Sequence, residues 1–182
     1  MNRAERELAI ASATQIIRQR QVLVIGSQSI LGSFSKEELP ARATMSAETD
    51  IAPLDDDAAE TLATLIDALL GEWSDFDRKH GFYVQGVSVR TAYLPEGWET
   101  RLVRVEPSTQ PGSVGLCLEP HDLCAAKLAR FEPNDREFVD ALVDSGLVNA
   151  SAISERIALI RDPRFLPGTQ AAAARWIGAR IR

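Results

Sequence analysis

The chain has 182 residues, 45% of them apolar and 25% charged, with a net charge of −6. That balance suits one domain, or one domain with a helical appendage, around a core that needs neither disulfide nor metal to fold. No apolar run approaches the roughly 20 residues that cross a bilayer. The N-terminal MNRAERELAIASATQIIRQRQ is charged and amphipathic, without the apolar block and cleavage site of a secretory signal. A cytoplasmic protein with no membrane partner is expected.

Charge is unevenly spread. Residues 35–60 hold eight acids and two bases, whereas residues 154–182 hold six arginines and two acids. The basic tail could contact nucleic acid or form the solvated face of two helices.

In chain order, the periodicity predicts a helix over 3–20, with Leu8, Ala9, Ala13, Ile16 and Ile17 on one face. A short buried strand follows at Val22 to Ile25, then a helix over 28–38 that breaks near Gly32-Ser33 and ends before Pro40. Residues 44–52 read as a strand. The acidic Asp55-Asp56-Asp57 is placed to open and cap a helix with a buried stripe of Ala59, Leu62, Leu65, Ile66, Leu69 and Leu70, stopped by Gly71. Residues 82–94 read as extended with a bulge at Gly86, and 100–105 as the return strand of a hairpin through Pro95-Glu96-Gly97. After a loop at 107–113, a strand at 114–118 leads into helices over 120–131, 135–145, 151–161 and 168–181. The plan is α+β: a small mixed sheet with packed helices and a helical C-terminal part, divided as 1–119 and 120–182.

Cys117 and Cys124, with His121 between them, form C-x3-H-x2-C. The first cysteine falls on a strand and the second on a helix, which suits two buried apolar thiols better than a zinc ligand set.

Chemistry can be placed on two stretches. In IGSQSILGSF, from Ile25, a strand runs into Gly26-Ser27 and a helical turn, an arrangement that holds phosphates in many proteins and merely turns the chain in others. It is no P-loop, because the Gly-Lys-Ser/Thr ending is missing. In TMSAETDIAPL, from Thr44, strand alternation puts Glu48 and Asp50 on one face, with Cα atoms about 7 Å apart. Two adjacent carboxylates suit a hydrated Mg²⁺ that also takes substrate phosphate, or else the solvated face of an edge strand.

Strand, Gly26-Ser27, helix, then Glu48-Thr49-Asp50-Ile51 on the next strand resembles the DNA polymerase beta-like nucleotidyltransferase superfamily. The resemblance implies that fold, with Gly26 and Ser27 on the triphosphate of an NTP and Glu48 and Asp50 as catalytic ligands of Mg²⁺. The downstream GLCLEPHDLCAAKLARFEPNDREFVDALVDSGLV is similar to the corresponding segment of AbiEii-like nucleotidyltransferases, the toxins of abortive-infection toxin–antitoxin systems. That likeness implies Lys127 on nucleotide phosphates and Asp135 as a catalytic base or positioner. Local chemistry alone also accommodates Lys127 as a lysine at the rim of the core, and Asn134 as a helix cap with Glu137 three residues on and Asp135 in the first turn.

The stretches LLGEWSDF, HGFYVQGV and LPEGWETRL resemble an uncharacterised bacterial nucleotidyltransferase-like family over nearly the whole chain. Two departures stand out. The superfamily's usual third strand carboxylate has no counterpart between Gln85 and Thr91, and the interval from Lys127 to Asp135 is shorter than in the toxins. The resemblance implies transfer of a nucleoside monophosphate from an NTP to an RNA or protein acceptor, with an antitoxin protein as a further partner. The alternative is a non-catalytic module of the same fold that binds a nucleotide or a partner.

Overall fold

The structure, a computed structural model, describes residues 1–54 and 58–181. Helix α1 (Arg3–Ile17) starts at an Asn2–Glu5 capping box and ends at Arg18, whose left-handed φ of 55° turns the chain three residues earlier than periodicity suggests. Strand β1 (Gln21–Val24) then enters the sheet, fully buried from Val22 onward. Strands β2 (Glu48–Pro53), β3 (Tyr83–Gly86), β4 (Val103–Val105) and β5 (Val114–Cys117) complete a five-stranded mixed sheet in the order β3-β2-β1-β5-β4. β1 runs antiparallel to β2 and parallel to β5, while β2 and β3 are parallel. Ile10 of α1 packs over Gly115 of β5, where an added Cβ would come within 2.4 Å of its side chain.

Helices α2 (Ala59–Leu70) and α3 (Asp75–His80) lie between β2 and β3. Helices α4 (Pro120–Arg130), α5 (Pro133–Asp144), α6 (Ala150–Ala158) and α7 (Pro167–Gly178) follow the sheet, close to the expected spans. Pro133 starts α5 instead of separating two helices, because a first-turn proline gives up no intrahelical bond. Buried residues from the sheet, α1, α2 and these four helices join in one contiguous core. No described helix is long and apolar enough to cross a membrane.

The structure corrects several local expectations. Residues 28–38 form no α-helix; a single 3-10 stretch (Ser27–Gly32) is followed by turns. Gly32 packs directly on Cys117, where a Cβ would come within 2.7 Å, and the chain turns away there. The strand expected from Thr44 begins only at Glu48, after a second 3-10 turn (Ala41–Thr44).

Residues 82–94 and 100–105 do not form a hairpin, since β3 and β4 occupy opposite edges of the sheet. Gly86 is no bulge either: the β2–β3 register runs unbroken from Glu48–Tyr83 to Ile51–Gly86. Its missing side chain serves α2, because a Cβ there would lie 1.8 Å from the Ala63 carbonyl oxygen. Leu65 and Leu69 of α2 are exposed, so the helix buries the narrower stripe of Ala63, Ile66 and Leu70. The cap expected from Asp55, Asp56 and Asp57 lies outside the described residues.

Candidate active site

Strand parity decides which side chains meet. Thr49 and Ile51 are wholly buried, with the Thr49 hydroxyl 3.1 Å from the Met1 sulfur at the start of α1. Glu48 and Asp50 therefore project from the opposite face of β2, both half-buried. Beside them, the Ile25 N–H donates to the Asp50 carbonyl at 3.1 Å, after which the chain turns at Gly26 into the Ser27–Gly32 segment.

The two sequence motifs touch at this turn. A Cβ on Gly26 would sit 1.5 Å from Asp50 Oδ2. Gly26 is thus required where the Asp50 carboxylate crosses the end of β1, and any side chain would expel it. The resemblance implies a nucleotide phosphate against the Gly26 backbone; the space a Gly26 side chain would take is filled by Asp50.

Burial and the adjoining Glu48 carboxylate lift Asp50 to about 7, with Lys127 and Arg130 pulling the other way. Glu48 accepts a 2.9 Å hydrogen bond from the Tyr83 hydroxyl, its register partner on β3. Burial, together with Glu48, raises that phenol to about 12, so Tyr83 stays a donor at neutral pH. Among the described residues the pair of carboxylates has one hydroxyl donor and no ion-pair partner within salt-bridge distance, a donor set that suits a divalent cation completed by water and phosphate oxygens. The residue opposite Asp50 on β3 is the exposed Gln85, and among the described residues no three of His, Cys, Asp and Glu gather as a metal group.

The second half of the site comes from the helices. Lys127 and Arg130, three residues apart on α4, both reach Asp135: Lys127 Nζ lies 3.0 Å from Oδ1 and Arg130 Nε lies 3.0 Å from Oδ2. Phe131 ends α4 with a left-handed φ of 60°, and this sharp reversal lets the short interval bring Asp135 back against Lys127. Asp135 is 3% exposed and has a cation at each oxygen, which makes it an anchor for those cations. Lys127 Nζ also sits 4.7 Å above the Phe138 ring.

Ser27, Ser46, Lys127, Asp135 and Phe138 line a cavity of about 260 Å³, closed on one side by Arg42. Arg42 bonds Asn134 at 2.8 Å and pairs with Glu137 at 2.9 Å. Asn134 is therefore a side-chain acceptor inside α5, not its cap, which falls at Glu132. Glu48 and Asp50 do not line this cavity; they adjoin it through Gly26 and through Ser46, whose hydroxyl accepts from the Glu48 N–H at 3.1 Å. Sequence reasoning missed Arg42, Tyr83 and Arg130. Only Arg130 carried a readable signal, its three-residue spacing from Lys127.

Cys117, His121 and Cys124 stand apart. Both thiols are buried, and His121 links α4 to α6, with Nδ1 2.5 Å from Glu119 and Nε2 accepting the Asn149 N–H at 3.1 Å.

No curated protein and no solved structure matches the chain. A family described as nucleotidyltransferase of unknown function (DUF6036) matches residues 7–159, which takes in the sheet, both carboxylates, the Gly26-Ser27 turn and the Lys127–Asp135 pair. The chain belongs to that nucleotidyltransferase family of unknown function.

Proposed function

We propose that the protein is a Mg²⁺-dependent nucleotidyltransferase that moves a nucleoside monophosphate from an NTP onto an RNA end or a protein hydroxyl, in the manner of the AbiEii-like toxins. The observation that carries this reading is the contact of Asp50 with Gly26. It sets a paired carboxylate site beside the turn that opens into the Ser27–Lys127 cavity.

In this reading the Ser27 hydroxyl and the backbone donors of the turn bind the triphosphate, and Lys127 neutralises its charge from across the cavity. Glu48 and Asp50 would hold Mg²⁺, which when bound neutralises charge on the transferring phosphoryl group. Tyr83 orients Glu48, and Asp135 keeps Lys127 and Arg130 extended. The acceptor oxygen bonds to the α-phosphorus in line with the departing oxygen, its proton passes to water, and pyrophosphate leaves. The basic C-terminal helices offer a surface for an RNA acceptor.

A second reading, a non-catalytic module that binds a nucleotide or an antitoxin partner, is favoured by one observation: an exposed glutamine, Gln85, stands beside Asp50 on β3. Incubation with each labelled NTP, Mg²⁺ and total RNA separates the two, with Asp50→Ala run alongside. Label transferred to RNA or protein and lost in the variant supports the enzyme. Nucleotide binding without any transfer supports the module.

A further inference from the structure

Arg6 is only 6% exposed, on the first turns of α1, and forms no ion pair or side-chain hydrogen bond with any described residue. The neighbouring Glu7 is engaged at both oxygens: Oε1 takes Arg3 at 2.7 Å, and Oε2 accepts from the Ser108 N–H and hydroxyl at 3.0 and 2.9 Å. A guanidinium does not lose its proton in a protein, so Arg6 is a buried cation that no described acid pairs directly, Glu7 acting on it only through space. Such a group is costly to bury unless an anion joins it.

Arg6 lines a cavity of about 550 Å³ between α1, the Gly32 end of the 3-10 segment and β4. The start of α1 lines it too; there Asn2 caps the Glu5 N–H, which leaves the Arg3 and Ala4 N–H groups without intrahelical acceptors. Lys36, with no ion pair among the described residues, adds a cation at the exposed rim, while Arg104 is matched by Glu106 at 2.8 Å. Glu37 is the one unengaged acid in the lining, and it is exposed. Leu31, Phe34 and Val105 supply apolar wall, so the space exceeds what a bare anion needs.

We propose that this cavity is a second ligand site, which binds the phosphate group of a small phosphorylated molecule on Arg6 and the first turn of α1. It is distinct from the Ser27–Lys127 cavity and does not depend on the transfer reaction. The two lie at opposite ends of the Ser27–Gly32 segment, about 10 Å apart at the usual 3-10 rise.

The test is a thermal-shift and calorimetric titration in phosphate-free, Mg²⁺-free buffer, with inorganic phosphate in one arm and ribose 5-phosphate in the other. The wild-type protein is expected to be stabilised saturably, and the tighter of the two probes identifies free ion or ester as the ligand. Arg6→Met should lose the response by at least about tenfold in affinity, as expected for a charge-assisted contact. Without ligand it should melt no lower than wild type, since an unpaired buried charge has gone. Lys127→Met, which removes any phosphate binding at the nucleotide cavity, should keep the Arg6-dependent response. Lys36→Gln, on the exposed rim, should weaken binding by about threefold, and it decides the matter if Arg6→Met does not fold. No response in the wild type, an unchanged response in Arg6→Met or, failing that variant, in Lys36→Gln, or a response lost with Lys127→Met would each overturn the proposal. None of these outcomes bears on nucleotide transfer.

Discussion

Asp122 and Asp135 are both buried aspartates near the starts of neighbouring helices, and each faces two cations. Asp122 takes a forked pair from Arg101 at 2.7 and 3.1 Å and a further contact from Arg156 at 3.0 Å. Its cations come from the loop before β4 and from α6, so the cluster ties three separate stretches of chain together. Asp135 takes Lys127 and Arg130 from the adjoining helix alone, and its lysine opens onto a cavity beside Ser27. The same chemistry thus ties separate stretches of chain in one place and holds a cavity-lining lysine in the other. What separates them is the space next to the cation, not the ion pair itself.

The contrast can be broken from either side. Asp122→Ala should have the largest effect on stability, about 3–5 kcal/mol by urea denaturation, because Arg101 and Arg156 are left without their partner. Gly26→Ala should leave the fold largely intact but expel the Asp50 carboxylate. Displacement of about 1 Å at a reacting centre can cost on the order of 10²-fold, and label transfer from NTP should fall by that much. Asp135→Asn keeps the shape and drops the charge, so Lys127 loses its anchor; NTP affinity should weaken about tenfold by calorimetry, with little change in urea midpoint compared with Asp122→Ala.

A pH dependence follows from Asp50. The folded-state value of Asp50, about 7, lies above its ordinary 3.8. Between those values the folded protein holds a proton that the unfolded chain has released. Metal-free stability from this group should therefore fall as pH rises from about 4 to 7, then level off. Asp50→Asn should flatten that slope and exceed wild type above pH 7. Mg²⁺ affinity should change in the opposite sense, rising through pH 7 as Asp50 gives up its proton.

Much of the site was legible because local rules determine it. Period-two alternation alone put Glu48 and Asp50 on one face, and the apolar strand ending in Gly26-Ser27 marked the turn beside them. Helical spacing located the four C-terminal helices. Long-range choices were not legible. Nothing in residues 82–105 says that β4 pairs with β5 and not with β3. Gly86 looked like a bulge because a bulge and a close helix approach ask for the same missing side chain. The 3-10 stretch at Ser27 was hidden for a similar reason, since its turn depends on Gly32 meeting Cys117, eighty-five positions away. Arg42 reaches Asn134 across a comparable distance in sequence and carried no local mark.

The central claim is that Glu48 and Asp50 form a metal site serving a triphosphate held at Ser27 and Lys127. The most direct measurement is calorimetric titration of a non-hydrolysable NTP analogue with and without Mg²⁺, for wild type and Asp50→Asn. The account predicts Mg²⁺-dependent binding in the wild type that the variant loses. Binding that is equally tight without Mg²⁺, or unaltered in Asp50→Asn, would contradict it.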